Sequence, residues 1–180
     1  MQVTICTANC VGQAGNCSYP NKVTVVTPEQ LQEAVKKDHV CAEFKGNYRS
    51  IENFIRSDVI VMDIDNDHTE VPADWITAEK LEELFPNVEY LLAPSRHHLL
   101  DKEGKSARPR YHMYFPISEI TDASRYANLK KAIHSAYSFF DGNALDAARF
   151  IFGAECDEVI FHEGWMTVED EVEVSDMEEE

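Results

Sequence analysis

Apolar and polar positions along the chain follow two periods. Alternation with a period of two is typical of half-buried strands, and apolar residues three to four apart are typical of helices that pack on one face. Short apolar or β-branched runs bounded by turn residues predict five strands, at residues 22–26, 39–44, 59–62, 88–93 and 110–115. The wider spacing predicts three helices, at residues 27–37, 77–85 and 122–139.

The first predicted helix carries a complete start signal. Thr27 suits the N-cap, Pro28 suits the first turn, and Gln30 completes a capping box with Thr27. Leu31 and Val35 then form the apolar face of the helix. The succession of strands and helices predicts an α+β or α/β domain with helices packed on a sheet, and the polar chemistry is expected at strand ends.

The strand at 59–62 runs directly into a row of acids. The sequence VIVMDIDND places Asp63, Asp65 and Asp67 at alternate positions. Because successive strand residues point to opposite faces, Asp63 and Asp65 share a face while Ile64 points into the core. Two carboxylates on one face repel unless a cation neutralises them, and oxygen ligands suit Mg²⁺ or Mn²⁺, which also bind substrate phosphates. The pair therefore predicts a metal site for phosphate chemistry, and Asp67 is expected to cap the following turn.

Basic residues lead into the last predicted strand. The segment KEGKSARPR, residues 102–110, holds four bases against one acid and continues into YHMYF. Lys105 and Arg108 lie in the segment, while Arg110 and His112 are two apart and share a strand face. Arginine offers forked contacts to phosphate and lysine a point charge, so the segment predicts a triphosphate site beside the acids.

A third acidic motif follows the longest predicted helix. In FFDGNALDAARF, Asp141 comes directly after two aromatic residues, and Asp146 precedes AARF. A pair of metal ions on a phosphate needs more oxygen ligands than one acid pair supplies. Asp141 is the first candidate for the third carboxylate, with Asp146 as its substitute.

The net charge of −17 on 180 residues argues, taken alone, against a polyanionic partner. The charge is uneven, because residues 169–180 hold eight acids and no bases. We therefore predict a single catalytic domain over residues 1–165 and an acidic, disordered tail or linker over residues 166–180.

The five cysteines are an odd number, and the N-terminus lacks the basic and apolar regions of a secretory signal. Neither feature favours a disulfide framework. Four of the cysteines, Cys6, Cys10, Cys17 and Cys41, are candidates for a structural zinc site, and free thiols are the alternative. No run of eighteen apolar residues predicts a membrane span, so we expect a cytoplasmic protein.

The three motifs in this order resemble the archaeo-eukaryotic primase superfamily, specifically the primase-polymerase domains of phages, plasmids and integrated elements. That family carries an apolar strand ending in two acids, then a strand with a histidine motif, then an apolar residue followed by Asp. The matching segments here are VIVMDID, RYH within RPRYHMYFP, and FFD. The resemblance spans residues 51–153.

The resemblance implies an α+β fold in which a catalytic sheet of the RNA-recognition-motif type packs against an N-terminal α/β unit. It implies a nucleotidyltransferase that uses two Mg²⁺ or Mn²⁺ ions, a dNTP or NTP, and a template and primer, with a helicase as a further partner. Asp63, Asp65 and Asp141 would hold the metals, and His112 would contact the nucleotide phosphates. The implied nucleotide-binding set also contains Ser95, Arg96, Lys105, Arg108, Arg110 and Arg149. The family's histidine motif often begins with a small hydroxyl residue, and this chain has Arg110 there.

Three other interpretations stay open from the sequence. In a phosphatase of the haloacid dehalogenase type, Asp63 would be the nucleophile and Asp65 the acid/base. In a catalytically inactive primase fold, the same residues would bind a nucleotide or a partner protein. An EF-hand loop beginning at Asp63 would need Gly and Glu where the chain has His68 and Asp74.

Overall fold

The computed structural model describes residues 1–178 of the chain, with side chains through residue 173. Over those residues the chain forms nine strands and four α-helices. The strands are β1 (Val3–Thr7), β2 (Asn21–Val25), β3 (His39–Val40), β4 (Glu43–Phe44), β5 (Phe54–Ile64), β6 (Tyr90–Pro94), β7 (Tyr111–Ile120), β8 (Phe150–Ile151) and β9 (Ile160–His162). The helices are α1 (Pro28–Ala34), α2 (Ala78–Leu84), α3 (Ala123–Ala136) and α4 (Val168–Glu178).

The strands form two antiparallel sheets, which makes the fold α+β. One sheet has four strands in the order β2-β1-β3-β8, and the other has five in the order β4-β5-β7-β6-β9. Every pairing within both sheets is antiparallel. The long strands β5 and β7 lie side by side near the centre of the larger sheet, so the acid motif and the histidine motif are direct neighbours.

The five-stranded sheet lies between two hydrophobic cores because the residues of β5 alternate between its faces. Ile60, Met62 and Ile64 pack against residues of α2, α3 and α4 in one core. Val59 and Val61 pack on the other side, with residues of β1, β2 and α1. The alternation places Asp63 and Asp65 on the face that points toward the four-stranded sheet.

The start signal of the first helix is confirmed. The Thr27 side chain accepts the backbone N–H of Gln30, and the Gln30 side chain accepts the backbone N–H of Thr27. The predicted helix at 77–85 also forms, with Thr77 as its N-cap. The strand predicted at 110–115 extends to Ile120, with Pro116 opposite Val59 next to a bulge in β5.

The strand predicted at 39–44 is wrong as a single element. The chain divides there into β3 and β4, which belong to different sheets. His39, Val40, Cys41 and Ala42 are all buried, so this segment has no solvent-exposed face. The apolar run therefore connects the two sheets instead of alternating along the edge of one.

The acidic C-terminal segment differs from its predicted disorder. Helix α4 occupies residues 168–178, and Val168 and Val172, one turn apart, are buried in the core that contains α3. Two apolar residues at this spacing suffice to dock a helix whose other described side chains are acidic. Residues 179 and 180 of the predicted tail lie outside the described residues, and the boundary at residue 165 stays a prediction. Among the described residues, no helix has the length and apolar character needed to cross a membrane.

Candidate functional site

The register of β5 and β7 sets each acid of the DxD motif opposite a base. Asp63 pairs with His112, and continuing the same register sets Asp65 opposite Arg110. Nδ1 of His112 lies 2.9 Å from Oδ1 of Asp63. Because a carboxylate oxygen only accepts, Nδ1 carries the proton and donates. The histidine motif thus fixes the first acid directly.

Asp63 is held on its second oxygen by a residue that precedes β8. Nη2 of Arg149 donates to Oδ2 of Asp63 at 3.2 Å. Asp63 is only 5% exposed, and burial alone would raise its pKa. The positive charges of His112, Arg149 and the buried Lys130 outweigh burial and hold the pKa of Asp63 well below its usual range. Asp63 is therefore an ionised, anchored carboxylate.

Asp141 reaches the same place through the backbone. Its N–H donates to the carbonyl oxygen of Asp63 at 2.9 Å. Its side-chain Oδ1 accepts from the N–H of Asn143 at 2.9 Å, and the carboxylate lines the same pocket as Asp65. Burial raises the pKa of Asp65, and repulsion from Asp63 and Asp141 raises it further, against a smaller opposing effect of Lys102. Nη1 of Arg110 lies 3.9 Å from Oδ1 of Asp65, at the long end of an ion pair, so the protein balances the negative charge at Asp65 only in part.

Cationic and aromatic side chains line the rest of this pocket, whose volume is about 200 Å³. Its full lining is Asp63, Asp65, Ser95, Arg96, His97, Lys102, His112, Asp141, Arg149, Phe150, Ile151 and Phe152. The acids come from the end of β5 and from Asp141, which follows α3. The bases come from the loop after β6 and from Arg149. The pocket therefore contains groups that suit a cation and groups that suit an anion.

The pocket contains oxygen ligands of the kind that bind the divalent metals predicted from the sequence. Asp65 and Asp141 offer hard oxygen ligands, and the raised pKa of Asp65 shows that a cation there would relieve repulsion. Both oxygens of Asp63 are engaged by His112 and Arg149. Among the described residues, no three His, Cys, Asp or Glu side chains are close enough together to bind one metal ion. The residues thus fit a divalent cation at Asp65 and Asp141, and Asp63 would join after one of its partners releases it.

The predicted zinc site is not supported. All four of its cysteines are free thiols, and no cluster of three metal-ligating side chains occurs in the part of the chain that the structure describes. Cys6 and Cys41 belong to the two different hydrophobic cores, so they serve as small apolar side chains.

Arg108 was predicted to bind nucleotide, but the structure uses it entirely in the fold. Its side chain is fully buried, and its five N–H donors contact the carbonyl oxygens of Asn66, Thr69 and Ser106, the Ser106 hydroxyl and the Glu70 carboxylate. No donor is left for a phosphate. Arg108 instead fixes the loop that follows β5.

Three further predicted residues do not line the pocket. Arg110 is buried beneath the acids, with Nη1 2.8 Å from the carbonyl oxygen of Asp65 and 3.0 Å from Oδ1 of Asp67. Lys105 lies 3.6 Å from the same Asp67 carboxylate. Asp146 is exposed and caps the backbone N–H of Ala148. Arg110 and Lys105 therefore neutralise Asp67, and Asp146 is not a substitute for Asp141.

The pocket also contains residues that sequence reasoning did not assign. His97 belongs to the RHH run after β6, and Lys102 opens the basic segment that was noted only as a whole. Phe150 and Phe152, one and three residues after Arg149, line the same pocket. The sequence feature that could have indicated them is a pair of aromatic residues at alternate positions, next to an arginine that was predicted to bind nucleotide.

Comparisons with known proteins add one structural likeness. No protein-family model matches the chain, and no curated protein matches its sequence. Among solved structures, the AEP domain of the primase-polymerase (PrimPol) of cyanophage S-2L is similar, over 92% of this chain and 83% of that one, with a TM-score of 0.49 and 13% sequence identity. At 13% identity the roles of individual residues have to come from the geometry of this site.

Proposed function

We propose that this protein is a divalent-metal-dependent nucleotidyltransferase that extends a primer on a nucleic-acid template, as a primase-polymerase of a mobile element. Its substrates would be a dNTP or NTP and the 3′-hydroxyl of the primer. The ordered motifs of the sequence support the reaction class. A helicase partner stays a prediction of the same resemblance.

The observation that carries the proposal is that acidic and basic side chains line the same pocket. Asp65 and Asp141 line the pocket together with Arg96, Lys102 and Arg149. A metal–polyphosphate complex presents positive charge on one side and negative oxygens on the other, so it matches such a pocket in both signs. Positioning and electrostatic stabilisation are the main requirements of phosphoryl transfer, and the pocket supplies both kinds of group.

Different residues of the pocket would bind the metals and the phosphates. Asp65 and Asp141, joined by Asp63, would hold the metals, which when bound supply activation of the 3′-hydroxyl and neutralisation of the leaving pyrophosphate. Since Nδ1 of His112 donates to Asp63, the imidazole is fixed in place, and its Nε2 would donate to a phosphate oxygen when the ring is protonated. Lys102 and Arg149 would bind the remaining phosphate oxygens.

The proposal also assigns the two sheets. The five-stranded sheet, which carries Asp63 and His112 on adjacent strands, would be the catalytic sheet of the RNA-recognition type. The four-stranded sheet with α1 would be the N-terminal unit. Because β8 returns from late in the chain to complete that unit, Arg149 and the adjacent aromatic residues come to face the acids.

The engagement of Asp63 bears on the two competing functions. A dehalogenase-type phosphatase needs Asp63 as a free nucleophile, whereas both its oxygens accept hydrogen bonds, one from His112 and one from Arg149. A catalytically inactive nucleotide-binding module is the second candidate, and the same observation favours it, because an Asp63 that never releases His112 or Arg149 cannot join a metal.

Primer extension separates these functions. A labelled primer-template, dNTPs and either Mg²⁺ or Mn²⁺ would be incubated with the intact chain, with Asp65→Asn and with Asp74→Asn, an exposed acid outside the pocket. Extension by the intact chain and by Asp74→Asn, but not by Asp65→Asn, is the expected result. Nucleotide binding by the intact chain without extension under either metal would favour the inactive module.

A further inference from the structure

Four planar side chains, two aromatic rings and two guanidinium groups, form a row that leads into the pocket. The rings of Phe150 and Phe152 meet edge to face with their centroids 5.0 Å apart. Cζ of Arg96 lies 3.8 Å from the centroid of Phe152, and Cζ of Arg49 lies 4.8 Å from that of Phe150. The order is guanidinium, ring, ring, guanidinium, and Arg96 is the member at the pocket end, beside Ser95 and His97.

The backbone beneath this row is fixed. The N–H of Gly153 donates to the buried carboxylate of Asp38 at 2.8 Å, and that carboxylate also accepts from Gly12 and Gln13. A Cβ at position 153 would lie 2.3 Å from the carbonyl oxygen of Lys36, so only glycine allows this approach. Phe152 therefore stands on a segment that is tied to the four-stranded sheet.

Arg96 differs from Lys102 and Arg149 in its contact with an aromatic ring. It is exposed, and its guanidinium carbon lies over the Phe152 ring, 3.8 Å from the centroid. A point charge for phosphate needs no such support, and Lys102 already provides one. A guanidinium plane that is backed by a ring and open on its other side is a surface on which a nucleobase stacks.

We propose that Arg96, supported by Phe152, is the stacking platform for the base of the bound nucleotide. The inference rests on the proposed function, because it places the triphosphate on the adjacent bases and acids. It adds a base-binding subsite whose selectivity comes from stacking and not from hydrogen bonds to base edges. Such a platform accepts all four bases.

Binding measurements on the full chain test the platform. The ligands are a dNTP with an imido group between the α and β phosphates, which resists transfer, and inorganic tripolyphosphate, both with Mg²⁺. The variants are Arg96→Lys, which keeps the charge and removes the plane, and Phe152→Leu, which keeps much of the volume and removes the ring. Phe161→Leu, a partly buried ring on β9 outside the pocket, is the matched control.

If Arg96 is the platform, the variants should lower the affinity for the dNTP much more than the affinity for tripolyphosphate. Arg96→Lys lowers dNTP affinity about tenfold, the scale of one stacked base, while tripolyphosphate affinity changes less than about twofold. Phe152→Leu acts in the same direction and Phe161→Leu changes neither affinity. Equal losses for both ligands, or no loss in either variant, would overturn the platform while leaving the proposed function standing. Failure of the unaltered chain to bind either ligand would overturn the proposed function and the platform with it.

Discussion

The backbone N–H of Asp141 donates to the carbonyl oxygen of Asp63 at 2.9 Å. This bond joins the end of β5 to the segment after α3, so the first and third acidic motifs meet through main-chain atoms. Side-chain substitutions at either position leave the bond in place. The acids can therefore be neutralised one at a time without separating the motifs, and their different surroundings give different expected outcomes.

Asp65→Asn is expected to abolish primer extension and to leave the fold slightly more stable. The pKa of Asp65 is raised by burial and by Asp63 and Asp141, so its charge opposes folding. Removing that charge should raise the free energy of unfolding by up to about 1 kcal/mol, the usual range for relief of strain at a functional site. Urea unfolding alongside primer extension measures both effects. A destabilised Asp65→Asn protein would contradict the electrostatic description of the pocket.

Asp63→Asn is expected to abolish extension and to destabilise the fold. The neutral amide removes the negative charge that pairs with Arg149, and it leaves Arg149 and the buried Lys130 without this carboxylate. Breaking a buried pair of this kind should cost about 2–4 kcal/mol, at the lower side because Arg149 is partly exposed. Comparison with Asp65→Asn under identical urea conditions is the control. Equal stability of the two variants would show that Asp63 is not anchored in solution.

The stability difference between the unaltered chain and Asp65→Asn is expected to depend on pH. The pKa of Asp65 is higher in the folded than in the unfolded protein, where it is near 3.8, so its charge costs stability in full above the folded pKa. As the pH falls from the folded pKa toward the unfolded pKa, the folded protein takes up a proton before the unfolded protein does, and the cost declines to zero. Urea unfolding from pH 7 to pH 4 should therefore show the stability advantage of Asp65→Asn shrinking. An advantage that is constant over this range would contradict the raised pKa.

A divalent cation is expected to stabilise the chain in proportion to its occupancy. A ligand that binds only the folded state at one hundred times its dissociation constant adds about 2.7 kcal/mol. For a chain of this length, each kcal/mol raises the unfolding temperature by about 2–4 °C. Thermal unfolding with Mn²⁺ or Mg²⁺ should show this rise in the unaltered chain and in Asp74→Asn, but not in Asp141→Asn. An equal rise in all three proteins would place the cation elsewhere.

The acid pair, its shared face and the neighbouring histidine could be predicted from the sequence, because strand alternation and motif order are local properties. The second partner of Asp63 could not, because Arg149 directly precedes β8, a strand of the other sheet. Arg108 shows the opposite case. Its sequence neighbourhood resembles a phosphate-binding segment, and only the three-dimensional structure reveals that carbonyl oxygens of a distant loop use its donors.

Arg108→Met should destabilise the fold severely, although Arg108 was first predicted to bind nucleotide. Removing it leaves the buried carbonyl oxygen of Asn66 and the carbonyl oxygen of Thr69 without this donor, and it removes the guanidinium that lies 5.0 Å from the Trp75 ring. The expected loss is about 3–5 kcal/mol, typical of broken buried polar networks. Lys105→Met, in the same loop but half-exposed, should stay within about 0.5 kcal/mol. Weakened nucleotide binding with unchanged stability in Arg108→Met would restore its predicted role.

Gly153→Ala is expected to destabilise the chain, whereas Gly15→Ala is not. At position 153 the new Cβ would lie 2.3 Å from a backbone carbonyl oxygen, which cannot rotate away as a side chain could, while at position 15 it meets nothing within 4 Å. Main-chain displacement would also stretch the bond from Gly153 to Asp38, so the expected cost is about 2 kcal/mol or more. Both variants remove the same unfolded-state entropy, so the difference between their unfolding free energies isolates the clash. Because Phe152 precedes Gly153, dNTP affinity should fall in Gly153→Ala under conditions where it remains folded, with tripolyphosphate affinity retained. Equal stability of the two variants would mean that this segment is not held against the four-stranded sheet, and Phe152 would then lack its fixed base.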